Sequence, residues 1–303
     1  PNITFLFTTG NYDPAEVLAG VQSVIGSSQL VGASTYGIIT RSGVCTSGVG
    51  VCCLGGATIQ AVTHLQKQFP AASSKHRDKI KIEHLLQQND GTPGTVFVFP
   101  HGLGNNISTL LRQLHDFLGP GFDYVGGGTG DNLGVCQSYQ ITDKGVATEG
   151  FALAILHGIN GKLGLAHSWQ PMGEPMLVTK AKGKRVYELD NLPAFSRYAI
   201  SLGGIGQKDF PHVAMRYPLG IPCAGGDFLI RDPLRVEADG SMVFVTEIPS
   251  NTVATIMVPR LEDNLSNEAR KMLLSTVASV NKPQIVLIFD CVSRYLLLRE
   301  IFE

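Results

Sequence analysis

One stretch of this chain is written out twice and begun a third time. Residues 3–7 (Ile-Thr-Phe-Leu-Phe) form a short apolar run, followed by a polar loop, a helical pattern, a second run at 30–33 and the turn Ser34-Thr35-Tyr36-Gly37. Residues 95–99 (Thr-Val-Phe-Val-Phe) open the same order of events. They lead through a loop at 100–105 and a helical pattern to residues 124–127 and the turn Gly128-Thr129-Gly130-Asp131. At residues 285–291 a third apolar run starts a further copy, which stops in its helix at Glu303. Repeated strand–loop–helix–strand–turn units bring equivalent loops together about a pseudo-symmetry axis, and a binding site is expected where those loops meet.

Local signals support the units. Asp13-Pro14 reads as an N-cap followed by proline in the first helical turn, and Val17, Leu18, Val21, Val24 and Ile25 recur at helical spacing. In the second unit Ser108 is the expected cap, Leu110, Leu111, Leu114, Phe117 and Leu118 the buried face, and Gly119-Pro120 the stop. Strands are expected at 37–41, 47–54, 135–142 and 148–157, with Asp143-Lys144-Gly145 as a turn. Residues 55–94 read as irregular, with a surface loop at 70–77 and a short amphipathic helix near 79–88.

Texture changes near residues 158–162. Beyond it, alternating runs at 175–179, 185–189, 227–231, 242–246 and 253–258 predict strands, with hairpin turns at Lys182-Gly183 and Asp239-Gly240. Helices are expected at 193–202 and 267–280. The class is α+β: two domains, 1–158 and 159–303, with mixed, mainly antiparallel sheets and flanking helices.

With 44% apolar and 16% charged residues and a net charge of −1, the chain has no electrostatic footprint for nucleic acid or for an acidic membrane. No apolar run approaches the roughly 20 residues that span a bilayer. Six cysteines in 303 residues do not make a disulfide scaffold, so a reducing cytoplasm is the expected setting.

The candidate motifs divide by what must follow them. The glycine turn 126–131 is followed by a strand-like run, whereas a phosphate cradle needs a helix start there, and the last glycine of GxGxxG is replaced by Asp131. It reads as a tight turn, or as a ligand-facing turn with Gly128, Thr129, Asp131 and Asn132 at a pocket. Ser34 lies in a GxSxxG spacing that continues as strand, which argues against a nucleophile elbow. Ser34 and Thr35 read as turn hydroxyls on the same face as Asp131. His101 occupies the place of Thr9 in the first copy and Cys291 in the third. Arg294 is either a carboxylate clamp or a salt-bridge partner, and Cys291, beside a helix start, is either a thiol of lowered pKa or a packed cysteine. No CxxC, HxxxH or HExxH marks a metal site, and no CxxCH marks haem.

The turns at 30–37 and 125–131 resemble the two signatures of the FIST N-terminal domain. Ser168-Trp169-Gln170-Pro171, Tyr187-Glu188-Leu189-Asp190, Leu229-Ile230-Arg231-Asp232-Pro233, Asp239-Gly240-Ser241, Glu247-Ile248-Pro249 and Phe289-Asp290-Cys291-Val292-Ser293-Arg294 resemble the FIST C-terminal domain, in order. The family pattern continues past Cys-x-x-Arg to a final strand and a Gly-Glu turn, so the second domain is expected to lack its last part. The resemblance implies a cytoplasmic, non-enzymatic sensory module of signal transduction for amino acids or similar small polar molecules. It also implies an output partner such as a histidine kinase. No cofactor is expected; a haem-based nitric oxide sensor and a protein-interaction scaffold are the alternatives. In the leading reading Asp131 and Asn132 hold an ammonium or amide, Arg294 holds a carboxylate, and Ser34, Thr35 and His101 orient the ligand. A fourth reading, an enzyme, would use His101 or Cys291.

Overall fold

The computed structural model describes residues 1–69, 92–133, 137–260 and 265–302. The expected loop at 70–77, the helix at 79–88 and Cys136 lie outside these. The chain forms two compact units: one of residues 1–163 with 282–290, the other of 164–281 with 291–303.

The first unit is a sandwich of helix, sheet, sheet and helix. Strand β1 (Ile3–Thr9), helix α1 (Pro14–Ile25) and strand β2 (Gln29–Thr35) make one βαβ crossover, with β1 and β2 parallel. The Asp13 carboxylate caps α1 by accepting from the amides of Ala15 and Glu16 at 2.7 and 3.1 Å. The short strands β3 (Ile38–Thr40) and β4 (Gly43–Cys45) pair as a hairpin, and β5 (Val49–Leu54) returns antiparallel to β1. Strand β6 (Gln60–Gln66) falls in the region read from sequence as irregular. Its polar positions (Gln60, Thr63, His64, Gln66) mask an alternation that pairing with a later strand makes regular.

The second copy repeats the crossover. Strand β7 (Gly94–Pro100), helix α2 (Ile107–Leu118) and strand β8 (Phe122–Gly126) are again parallel partners. Two expectations fail locally. Ser108 is inside α2, and the cap position is Asn106 in the left-handed region at φ 67°, whose side chain makes no capping hydrogen bond. Leu111 is 41% exposed, off the buried stripe of Leu110 and Leu114. The strand expected at 135–142 is limited, among described residues, to β9 (Gln140–Thr142); β10 (Gly145–Ala147) and β11 (Phe151–His157) follow. The sheets run β10-β9-β2-β1-β5 and β6-β11-β7-β8.

Alternation along each strand builds the layers. From β1, Ile3 and Phe5 enter the core between the sheets, while Leu6 meets Leu18 of α1 outside. From β7, Phe97 and Phe99 face inward, while Val96 and Val98 meet Leu110 and Leu114 of α2. Small residues on β2 and β11 (Ala33, Ala152, Ala154) leave room for the inward phenylalanines.

Both crossovers place a glycine where the parallel strands approach most closely. A Cβ at Gly32 would lie 1.8 Å from the Leu6 carbonyl oxygen, and one at Gly126 2.0 Å from that of Val98. These are corresponding positions of the two copies.

The third apolar run, 285–289, forms no strand. Its β-branched side chains favour extension, but no neighbouring edge takes it up.

In the second unit β12 (Trp169–Lys182) and β13 (Arg185–Leu189) form the hairpin expected at Lys182-Gly183. With β14 (Leu192–Pro193), β15 (Leu219–Pro222), β16 (Phe228–Arg231), β17 (Pro233–Val236), β18 (Met242–Phe244) and β19 (Thr252–Pro259) they build one curled antiparallel sheet. Helices α3 (Ala194–Ser201) and α4 (Phe210–Val213) fill its inside through Tyr198 and Phe210. Helices α5 (Leu265–Ala278) and α6 (Val292–Phe302) complete the unit.

Two substitutions test this account by urea unfolding. Asp13→Ala should cost about 1 kcal/mol by leaving two amides of α1 uncapped. Gly32→Ala should cost more than about 4 kcal/mol, since a backbone carbonyl must move rather than a side chain; a loss below 1 kcal/mol would contradict the close approach.

Candidate functional site

The crossovers set the ends of β1 and β7 side by side, and the third run joins them. Phe7, Phe99 and Phe289 hold corresponding places in the three copies, two residues before Thr9, His101 and Cys291. Their rings converge: 5.7 Å between Phe7 and Phe99, 6.0 Å between Phe7 and Phe289, and 5.6 Å between Phe99 and Phe289. One step earlier, Phe5 and Phe97 stack edge-on at 4.7 Å, and Leu287 packs into the same core. Aromatic pairs in such geometry contribute about 0.5–1.5 kcal/mol each beyond the area they bury.

These three rings line a cleft of about 430 Å³. Its other walls are the end of β2 with the following turn, strand β3, the middle of β5, the glycine turn at Gly127 and Gly128, and residues 285–290. Asp290 brings the charge. Cys52, whose thiol is pushed above its ordinary pKa by burial and by neighbouring Cys53, adds a neutral sulfur.

Of the residues singled out from sequence, Ser34, Thr35 and Gly128 line this cleft. The Ser34 hydroxyl is nevertheless engaged: it donates to the Gly130 carbonyl at 2.7 Å and accepts from the Tyr139 amide at 2.7 Å. Ser34 thereby ties the turn of the first copy to that of the second. The Thr35 hydroxyl donates to the Gly37 carbonyl at 3.1 Å.

His101 and Thr129 belong to a second, buried arrangement. Pairing of β7 with β8 continues beyond the strands in a parallel bridge between these two residues, as Thr9 pairs with Thr35 in the first copy. His101 Nδ1 lies 2.8 Å from Ser138 Oγ, which lies 2.7 Å from Thr129 Oγ1. Gln140, fully buried, donates to Thr129 Oγ1 at 2.9 Å and accepts from the Gly150 amide at 3.1 Å, stitching one sheet to the other. A buried amide satisfied at both ends fixes a unique register.

Asp131 and Asn132 lie on the loop beyond the glycine turn. The Asn132 side chain accepts from the Gly10 amide at 3.1 Å and donates to Asn11 Oδ1. An Asp131 oxygen accepts from the Gln137 amide at 3.4 Å. The Asn132 contacts bind the loop after β8 to the loop after β1, and the Asp131 contact holds the loop after β8 to itself. Cys291 and Arg294 belong to the second unit, at the start of α6. Sequence left a thiol of lowered pKa and a packed cysteine both open for Cys291. The structure removes the first: desolvation at the sulfur, with the Asp232 carboxylate, pushes the Cys291 thiol upward, outweighing the hydrogen bonds from Ser293 and Arg294, although the residue keeps exposed surface.

The aromatic trio, the Gln140 staple and Asp290 were not singled out from sequence. Following the repeat offset back from Thr9, His101 and Cys291 would have found the trio.

With this geometry in place, the chain is seen to belong to the FIST family: the model of the FIST N domain matches residues 2–192 and that of the FIST C domain residues 194–303. FIST domains are generally associated with sensory signal transduction. No curated protein and no solved structure matches the chain. No helix among the described residues is long and apolar enough to cross a membrane.

Two outcomes follow. Ser34→Ala should destabilise the first unit by about 1–3 kcal/mol, measured by chemical denaturation, because a part-buried amide and carbonyl lose their partner. Cys291, its thiol pKa raised, holds less thiolate than a free cysteine at any pH near 8, so peptide-resolved iodoacetamide labelling should be slower than for a model thiol and rise only at more alkaline pH. Labelling faster than the model thiol would contradict this.

Proposed function

We propose that this chain is a sensory module that binds a small molecule in the first-unit cleft and reports it to a signalling output partner, a histidine kinase being one such class. The observation that carries the reading is the convergence of Phe7, Phe99 and Phe289, one from each copy, beside a glycine turn and a cleft of about 430 Å³. That volume lies within the range of small-ligand pockets, and a mostly apolar wall with few polar groups is their usual make-up. Amino acids and similar amines suit it: an apolar side chain rests on the rings, an ammonium faces Asp290, and the glycine-turn backbone is open to the remaining polar atoms.

This differs from the site expected from sequence. Arg294 is not among the lining residues, Asn132 is engaged with the loop after β1, and Asp131 accepts from the Gln137 amide of its own loop. The reading therefore rests on Asp290 and the aromatic wall. The cleft's described lining includes no histidine, so haem would lack an imidazole ligand there. We infer a cytoplasmic setting from cysteines read as reduced.

Thermal-shift and calorimetric titration with a panel of amino acids and small amines test the proposal. A ligand present at about 100 times its Kd should add about 2.7 kcal/mol to stability. Gly127 lies outside the left-handed region, and a Cβ there meets nothing within 4 Å. Gly127→Leu should therefore fold normally and lower affinity at least tenfold by occupying the cleft. Absence of any shift across the panel, or equal affinity in Gly127→Leu, would overturn the assignment.

A further inference from the structure

The third apolar run is bound to the first unit by side chains alone. Residues 282–290 belong to that unit, while the chain on both sides, 164–281 and 291–303, belongs to the other. The sequence 285–289 (Ile-Val-Leu-Ile-Phe) has strand chemistry, yet it joins no sheet. Among the described residues, no backbone group of 283–289 takes part in a hydrogen bond. Leu287 and Phe289 enter the core between the sheets, and Phe289 touches Phe7 and Phe99. Between and beside them Ile285, Val286 and Ile288 are about half exposed, at 47%, 50% and 54%. The same residues line the cleft.

A segment held by two apolar side chains, without ladder hydrogen bonds, sits at the low end of local stability. The matching strands β1 and β7 are the central, doubly paired strands of their sheets. The third copy thus differs from the first two in attachment, not in sequence character. Its chain continues without interruption into α6, which opens at Val292, two residues past the cleft-lining Asp290.

We propose that residues 283–290 are a coupling strap: occupancy of the cleft alters how Phe289 and Leu287 seat between the sheets, and the change passes along the chain to α6 in the second unit. This rests on the cleft being the ligand site, and it supplies the step by which binding in one unit becomes a change in the other. Only something that interacts differently with two seatings of the strap can shift them. The cleft meets this requirement because the strap is one of its walls.

Hydrogen exchange followed by mass spectrometry tests the strap without a ligand, so its result is independent of whether the proposed ligand class is right. In the wild-type chain, amides 284–289 should exchange within the fastest class while β1 and β7 remain protected. Gly127→Leu adds a side chain at a residue that lines the cleft with the strap, and Phe289→Ala removes the strap's main anchor. Each should change exchange in 292–302 by about threefold or more while leaving β12 and β19 at their wild-type rates. Phe289→Leu, which keeps an apolar anchor, serves if the alanine variant fails to fold, and should show the same effect in smaller degree. Protected amides at 284–289, or unchanged exchange at 292–302 in folded Gly127→Leu and Phe289 variants, would overturn the proposal. A ligand-induced shift in melting temperature alongside that unchanged exchange would sink the strap and leave the binding site standing.

Discussion

The first unit depends on phenylalanines from equivalent strands meeting between two sheets. Phe5 against Phe97 and Phe7 against Phe99 set the spacing of the sandwich, and the alanines of β2 and β11 set how closely the rings approach. Because strand side chains alternate, fixing the inward set also fixes the outward one. Leu6 and Val98 then have no choice but to face helices. A one-residue slip in either sheet would send the rings outward and strand Gln140 away from Thr129 and Gly150. The fold is therefore specified twice, by apolar fit and by a buried amide.

The two copies diverge where the chain leaves the strands. At corresponding places stand Thr9 and His101, and at the end of β2 and beyond β8 stand Thr35 and Thr129. In the second copy these polar groups turn inward to Ser138 and Gln140 and hold the sheets together. In the first copy Thr35 remains at the cleft. The two turns thus divide the labour, one serving cohesion and the other bordering the pocket. The glycines at 32 and 126 did not diverge, since any side chain at either would strike a carbonyl oxygen.

Much of this was legible in the sequence, because local rules and tertiary outcome agree there. Asp13-Pro14 announces α1 and Gly119-Pro120 closes α2. The hairpins of the second unit follow from alternation and glycine turns. Illegible features depend on partners distant in sequence. Strand β6 has too many polar residues to declare itself and is a strand because β11 lies beside it. Residues 285–289 have every mark of a strand and are not one: among the described residues they make no backbone hydrogen bond to either sheet, and propensity alone does not build a ladder. Ser108 looks like a cap, but the helix starts earlier, after a left-handed asparagine. For the site, the repeats foretold that equivalent loops would meet, and Ser34, Thr35 and Gly128 lie at that meeting place. The polar residues drew attention because they carry chemistry, whereas the cleft is made chiefly of rings. Cys291 stayed undecided between two readings for a related reason: a helix start favours the thiolate, but the loss of solvent around sulfur, invisible in sequence, is the larger effect.

The interlaced path of the chain bears on its autonomy. A fragment ending at Leu163 would keep both sheets and both helices of the first unit but lose Leu287 and Phe289. It would leave two aromatic rings facing water at the mouth of a hydrophobic layer. Such a surface invites association with any strand-like apolar peptide, including the same segment of a neighbouring molecule. Exchange of residues 283–290 between copies would satisfy both cores without new chemistry. Dimerisation by swapping is thus the failure to guard against when the two halves are separated, and the reason a cut between them is not neutral even though it falls outside every strand and helix.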